Sequence, residues 1–267
     1  MRIESHNEYF FQRRWPNGFE CPRCAHNEYY VIETRSLPLY QCCLCTRQTS
    51  VTAGTVMNKS RTPLVKWAAA IELLASTNGV NAKELAAAIG VTHKVAWTML
   101  RKFRQAIAEA ESDRKLEGAV YGGLRAFAPS SIWIFLPHRR YRRERVVSLC
   151  ASVSPAGTPT ALKFDMVPPG ALIPGMKELT KEEEDRILAK VARARADASW
   201  LNDSKFHRSP LRACFDEANR WLLRRFNGVG SKYLQSYLDE FGFRWNAAAQ
   251  GKSLQDEWFD LCFRFAG

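Results

Sequence analysis

The sequence predicts a multi-domain α+β chain of three successive parts. Three observations lead there. Two Cys-x-x-Cys pairs lie close to the start of the chain. From Arg61 to about Arg114, apolar residues recur at helical spacing around a glycine turn. From there onward, β-prone and helical stretches alternate. The boundaries drawn on this pattern are 1–57, 58–115 and 116–267.

Composition narrows the class before any motif does. Hydrophobic residues make up 46% and charged residues 25%, an ordinary globular balance. No apolar run nears the roughly 18 residues of a membrane span. Residues 1–15 are polar and aromatic, without the apolar core of a secretory leader, so a cytoplasmic protein with no membrane partner is expected. Lys and Arg total 39 against 27 acids, a net charge of +12. That sign fits a polyanionic partner, of which nucleic acid is the commonest.

In the first part, Cys21/Cys24 and Cys42/Cys45 form two knuckles separated by residues 25–41. A two-residue gap lets both thiolates of a knuckle face one tetrahedral ion, while backbone N–H groups point at the sulfurs. In a reducing compartment this reads as a structural zinc ribbon, since four cysteines leave no open coordination position. Cys43 has the wrong spacing and is expected to be a bystander. A hairpin is expected from Tyr29–Thr34 and Leu39–Cys42, turning at Ser36-Leu37-Pro38, with a third strand within Arg47–Ala53. The segment is too small to build a core of its own, so zinc is expected to supply its folding energy. Cys150, Cys214 and Cys262 are scattered and read as buried, inert thiols.

In the second part, Thr62 and Pro63 open a helix carrying Leu64, Trp67, Ile71 and Leu74, and Asn78-Gly79 ends it. Asn81 then caps a short helix, Ala82–Ile89. Gly90 supplies the positive φ of a tight turn, and Thr92 caps a second helix running to about Glu111. Leu85, Ile89, Val91, Ala96 and Met99 fall on the buried side. This is a helix-turn-helix pattern with its second helix free to enter a major groove. The outward face carries Thr92, His93, Lys94, Trp97, Thr98 and Arg101. Lys102 and Arg104 are placed for phosphate contacts, and the expected partner is double-stranded DNA.

The third part opens on LEGAVYGGLRAF and continues through an apolar strand at Ser131–Leu136. A basic run follows, with Arg139, Arg140, Arg142 and Arg143, read as a loop tracking a phosphate backbone. Strands are expected at Val146–Val153 and Thr160–Val167, a charged helix at 176–200, and a final amphipathic helix from Ser253. Trp221, Leu222, Phe241, Phe243 and Trp245 are assigned to the core.

The succession WPNGFECPRC, YQCCLCTRQTSVTAGTVM, SRTPLVKWAAAIELL and the two turn-linked helices resembles bacterial zinc-ribbon insertion-sequence transposases. SKYLQSYLDEFGFRWN at 231–246 is similar to the closing helix of that family. The resemblance covers 15–110 and 229–246. It implies a DNA-recognising head followed by a DDE-type, RNase H-like domain that uses Mg²⁺ when active.

Residues 115–228 depart from the family pattern. The family opens its catalytic domain on a strand of the form Val-Glu-Val-Asp-Glu-Thr-Tyr before Gly-Gly. Here the flanks Gly118, Val120, Tyr121, Gly122 and Gly123 remain without the Asp, and Glu117 is a displaced carboxylate. The family's Thr-Asp-Gly is missing, and Asp165 lies within an expected strand. Where the family has a His-Thr-Asn, a Glu and a Lys-Arg pair, this chain has HRSPLRACFDEANRWLLRRFNG, with Glu217 the nearest counterpart. The candidate catalytic residues are thus Glu117, Asp165 and Glu217.

Two-metal strand transfer needs carboxylates that hold two ions about 4 Å apart, and the missing Asp would be the bridging one. The expected third domain is therefore a shortened or degenerate RNase H-like domain. The expected function is that of a nucleoid-associated, DNA-binding transposase-like protein without strand-transfer activity. The alternatives are an active metal-dependent transposase with relocated acids, or a zinc-ribbon module that binds RNA or protein. A homo-oligomer is compatible with either.

Overall fold

The computed structural model describes residues 3–34, 37–76, 79–127, 145–174, 176, 178–194, 197–227 and 229–264. The strand expected at 131–136 and the run holding Arg139, Arg140, Arg142 and Arg143 lie outside the described residues. The chain divides into two units, Met1–Ala106 with Gln255–Gly267, and Ile107–Leu254.

The first unit begins with α1 (Ile3–Arg14), followed by a three-stranded antiparallel sheet of β1 (Tyr29–Ile32), β2 (Leu39–Cys42) and β3 (Gln48–Thr49). The third strand is shorter than expected because the chain turns at once, with Ala53 N–H donating to the Ser50 carbonyl. Phe11, Trp15, Phe19, Tyr29 and Tyr40 form a ring cluster with centroids 4.9 to 6.2 Å apart. Aromatic rings bury much surface per residue, so a few of them make a small core for this segment. This cluster adds apolar burial beside the cysteine knuckles.

Next come α2 (Leu64–Ala75), α3 (Ala82–Ile89) and α4 (His93–Ser112), the last extending past the unit boundary. The N-cap of α2 is Pro63, without a side-chain bond, one residue later than the expected Thr62. Asn81 accepts from the Lys83 and Glu84 N–H groups, and the Glu84 carboxylate accepts from Asn81 N–H, a complete capping box. Gly90 ends α3 at φ 63°, where a Cβ would be strained. The Thr92 hydroxyl accepts from Val95 N–H at the start of α4.

The closing helix α9 (Leu254–Arg264) belongs to this first unit rather than to the third part of the sequence. Phe259 meets Tyr9 and Phe10 edge-on at 5.1 and 5.8 Å, and Trp258 meets Phe103 at 5.5 Å. Val56 N–H donates to the Cys262 carbonyl.

The second unit is built on a four-stranded sheet in the order β6-β5-β4-β7, from β4 (Ala119–Phe127), β5 (Arg145–Val153), β6 (Pro159–Met166) and β7 (Ala198–Trp200). The first three strands are antiparallel neighbours, and β7 runs parallel to β4. A parallel neighbour needs a crossover, which α5 (Lys181–Val191) provides. The sequence reading of one charged helix over 176–200 is corrected here. Leu116 N–H donates to the Val191 carbonyl and its own carbonyl accepts from Arg193 N–H, which draws the chain out of helix and lets 198–200 join the sheet.

Three more helices follow: α6 (Asp203–Arg208), α7 (Pro210–Phe226) and α8 (Leu234–Ala249). Alternation sorts the sheet residues. Leu149, Ala151, Leu162 and Phe164 pack with Leu211, Phe215, Leu222 and Phe241, and half-buried Trp221 and Trp245 close this core. Val120 and Cys150 pack on the other face against Leu188 and Val191. Gly122 and Gly123 sit back to back in β4. A Cβ would lie 2.7 Å from the Trp200 ring at Gly122 and 2.2 Å from the Phe206 ring at Gly123.

The outer edge of β6 is closed by side-chain amides. Asn246 accepts from Leu162 N–H at 2.7 Å and donates to the Leu162 carbonyl at 3.0 Å. Gln235 accepts from Met166 N–H and donates to the Phe164 carbonyl. The two amides stand in for a neighbouring strand and blunt an edge that would otherwise pair with another chain.

Candidate metal centre and nucleic-acid interface

The two cysteine knuckles are built alike. Cys21 N–H donates to the His26 carbonyl and Ala25 N–H to the Cys21 carbonyl; Cys42 N–H donates to the Arg47 carbonyl and Thr46 N–H to the Cys42 carbonyl. The residue after each second cysteine is left-handed, Ala25 at φ 58° and Thr46 at φ 57°. These paired turns aim four sulfurs at one point. Cys21 Sγ lies 3.5 Å from Cys45 Sγ, Cys24 Sγ lies 3.6 Å from Cys42 Sγ, and all four lie within 4.8 Å of one another. A tetrahedron with Zn–S bonds of about 2.3 Å has edges of about 3.8 Å, so the quartet fits zinc. Cys43 is exposed and lies outside the set.

The close packing of the sulfurs shifts two of the thiols in opposite directions. Burial would raise the Cys21 thiol, yet the backbone N–H groups of Arg23 and Cys24, together with hydrogen bonds from the Cys45 and Cys24 thiols, bring it down to about 6. The His26 N–H pulls Cys24 the same way, but burial and the neighbouring sulfurs push it up to about 12. Four crowded thiols cannot all ionise unaided, and a divalent cation removes that repulsion. Burial pushes Cys150 up to about 12 and Cys214 to about 11, and Cys262 is also raised. None of those three is a ready nucleophile.

On α4, Thr92, His93, Lys94, Thr98 and Arg101 are exposed, and half-buried Trp97 lies under the Arg101 guanidinium at 5.8 Å. The Thr98 hydroxyl donates to the Lys94 carbonyl, so toward solvent it offers only an acceptor. Lys102 donates to the Asn58 carbonyl at 2.6 Å. Arg104 is only 6% exposed, so it is withdrawn from the phosphate-contacting role expected of it.

The three acids named from the sequence do not converge. Glu117 precedes β4, pairs with Arg193 at 2.9 Å, and donates its N–H to the Ser152 hydroxyl. Asp165 lies opposite Ser148 and pairs with Lys190 at 3.2 Å. Ser148 and Ser152 are four residues apart on β5, roughly 13 Å along the strand. Glu217 is exposed on α7, across the sheet from the α5 side where Asp165 pairs. Among the described residues, the cysteine quartet is the one set of three or more potential ligands with donor atoms this close.

Asp203 is a residue the sequence reading passed over. It follows β7 directly, at the carboxyl ends of the parallel β4/β7 pair, where open sheets place their ligands. Its carboxylate is bound by Arg125 at 2.7 Å, and that guanidinium lies over the Phe206 ring. His207 stands 3.7 Å from the same carboxylate. The sequence carried no usable signal for it, because 198–200 read as part of a helix.

Residues 4–48 match the family model described as the transposase zinc-ribbon domain. No curated protein and no solved structure matches the chain.

Proposed function

We propose that this chain is a transposase-like DNA-binding protein whose second unit has lost its metal-dependent strand-transfer centre. The observation that carries the reading is a transposase-type zinc ribbon followed by α3, a left-handed Gly90 turn and α4, with a basic outer face. In this reading α3 and α4 form a helix-turn-helix, and the exposed side chains of α4 enter the major groove. Lys94 and Arg101 contact base edges or phosphates. Thr98, left with an acceptor, faces a base amino group. The basic segment with Arg139, Arg140, Arg142 and Arg143 adds sequence-independent grip.

The strand order β6-β5-β4-β7, with β7 parallel to β4 across a helical crossover, supports an RNase H-like ancestry for the second unit. The dispersed Glu117, Asp165 and Glu217 support loss of catalysis. So does Asp203, whose carboxylate is engaged by the Arg125 guanidinium.

Titration of a mixed-sequence duplex across a salt series tests the binding. We expect affinity to fall steeply with salt and to weaken further in Lys94→Ala and Arg101→Ala. Salt-insensitive binding, or no difference in those variants, contradicts the reading. A strand-transfer assay with Mg²⁺ on DNA flanking the gene should yield no joined product, and any such product overturns the non-catalytic half of the proposal.

A further inference from the structure

A cleft of about 290 Å³ opens within the first unit, between residues 59–62 and the first turns of α4. Its lining includes Lys59, Arg61, Trp67, Lys94 and Lys102, and none of its lining residues is acidic. Two features make it a built site rather than a loose basic surface. The loop is tied to α4 by the Lys102 ammonium, which donates to the Asn58 carbonyl, and Lys59 is turned into the left-handed region at φ 57°. The indole N–H of Trp67 is buried without a hydrogen-bond partner, on a side chain only 1% exposed. Trp67 shares the lining with four cations and no carboxylate, a combination that suits an anion.

We propose that this cleft binds a backbone phosphate of the duplex that α4 reads, with Lys59, Arg61 and Lys94 supplying charge beside the Trp67 side chain. The inference rests on the DNA-binding reading and adds to it a fixed anchor beside the reading helix. A clamp on one phosphate sets the register of α4 in the groove without itself carrying sequence information. Burial lowers the Lys102 ammonium from its ordinary range, and a neighbouring phosphate would offset that effect.

The test uses the full chain loaded with zinc. Duplex affinity is measured across salt for the wild type and for the double variant Lys59→Gln/Arg61→Gln, both of whose side chains are exposed. The magnitude of the slope of log K against log salt should fall by about 1 for each cation removed, with base preference unchanged. In parallel, the Trp67 indole ¹⁵N–H resonance, assigned by its loss in Trp67→Phe, is followed while duplex or inorganic phosphate is added. Duplex should shift it. An unchanged slope, or a Trp67 resonance that duplex leaves in place, overturns the cleft while duplex binding by the wild type still stands. A resonance moved by inorganic phosphate but not by duplex assigns the cleft to the free anion and overturns the backbone contact. A wild type that does not bind duplex at all overturns the DNA-binding reading and the anchor with it.

Discussion

Asp239 shows how much one residue depends on its surroundings. Its carboxyl rises from the ordinary 3.8 to about 7, chiefly through burial; the Gln235 N–H opposes the rise, Asp165 and Glu111 add to it, and Lys163 opposes it. Between about pH 4 and pH 7 the folded chain therefore keeps a proton that the unfolded chain has released. The contribution of this group to stability falls as pH rises through that window. Asp239→Asn keeps an acceptor for Gln235 and removes the charge. We expect it to exceed the wild type by about 2–4 kcal/mol at pH 8, with the gap closing near pH 4, as read by urea denaturation at both values. Gly123 is a second residue of this kind. Its neighbour Phe206 leaves no room for a methyl group, so Gly123→Ala should cost about 1–3 kcal/mol or more and lower the melting temperature. In the sequence, Gly122-Gly123 is merely the flank of a motif; the rings that require both glycines come from residues 200 and 206.

At the scale of elements, helix ends followed local chemistry and strand partners did not. Asn81, Gly90 and Thr92 bounded α3 and α4 because caps and left-handed turns are satisfied within a few residues. The extent of α5 and the existence of β7 depended on a backbone exchange with Leu116, far away in sequence. The cover of β6 is equally non-local. Asn246→Leu would leave the Leu162 N–H without its side-chain partner, while the carbonyl keeps the Arg114 guanidinium, and we expect a loss of about 1–3 kcal/mol with increased self-association in light scattering.

At the scale of the whole molecule, α1 and α9 both belong to the first unit, and the unit built on the four-stranded sheet lies between them in sequence. Helix α1 serves two neighbours there, with Phe11 in the ribbon's ring cluster and Tyr9 and Phe10 against Phe259 of α9. Stripping zinc should therefore raise amide exchange in the ribbon and also in α9, with peptides from β5 as the control. Exchange confined to residues 21–45 would show that the ring cluster holds α1 in place without the metal.

The sequence by itself determined the four cysteines that come together in a set fit for zinc, the capped helices α3 and α4, and the positive charge on the face of α4. Each rests on spacing, on a cap or on composition, and these are properties of neighbouring residues. Tertiary structure alone decided that α9 completes the N-terminal unit, that Arg104 is buried, and that Glu117, Asp165 and Glu217 are dispersed while Arg125 holds Asp203. These are relations between residues distant in the chain, set by which apolar faces bury one another and which strands exchange hydrogen bonds. No local pattern encodes them.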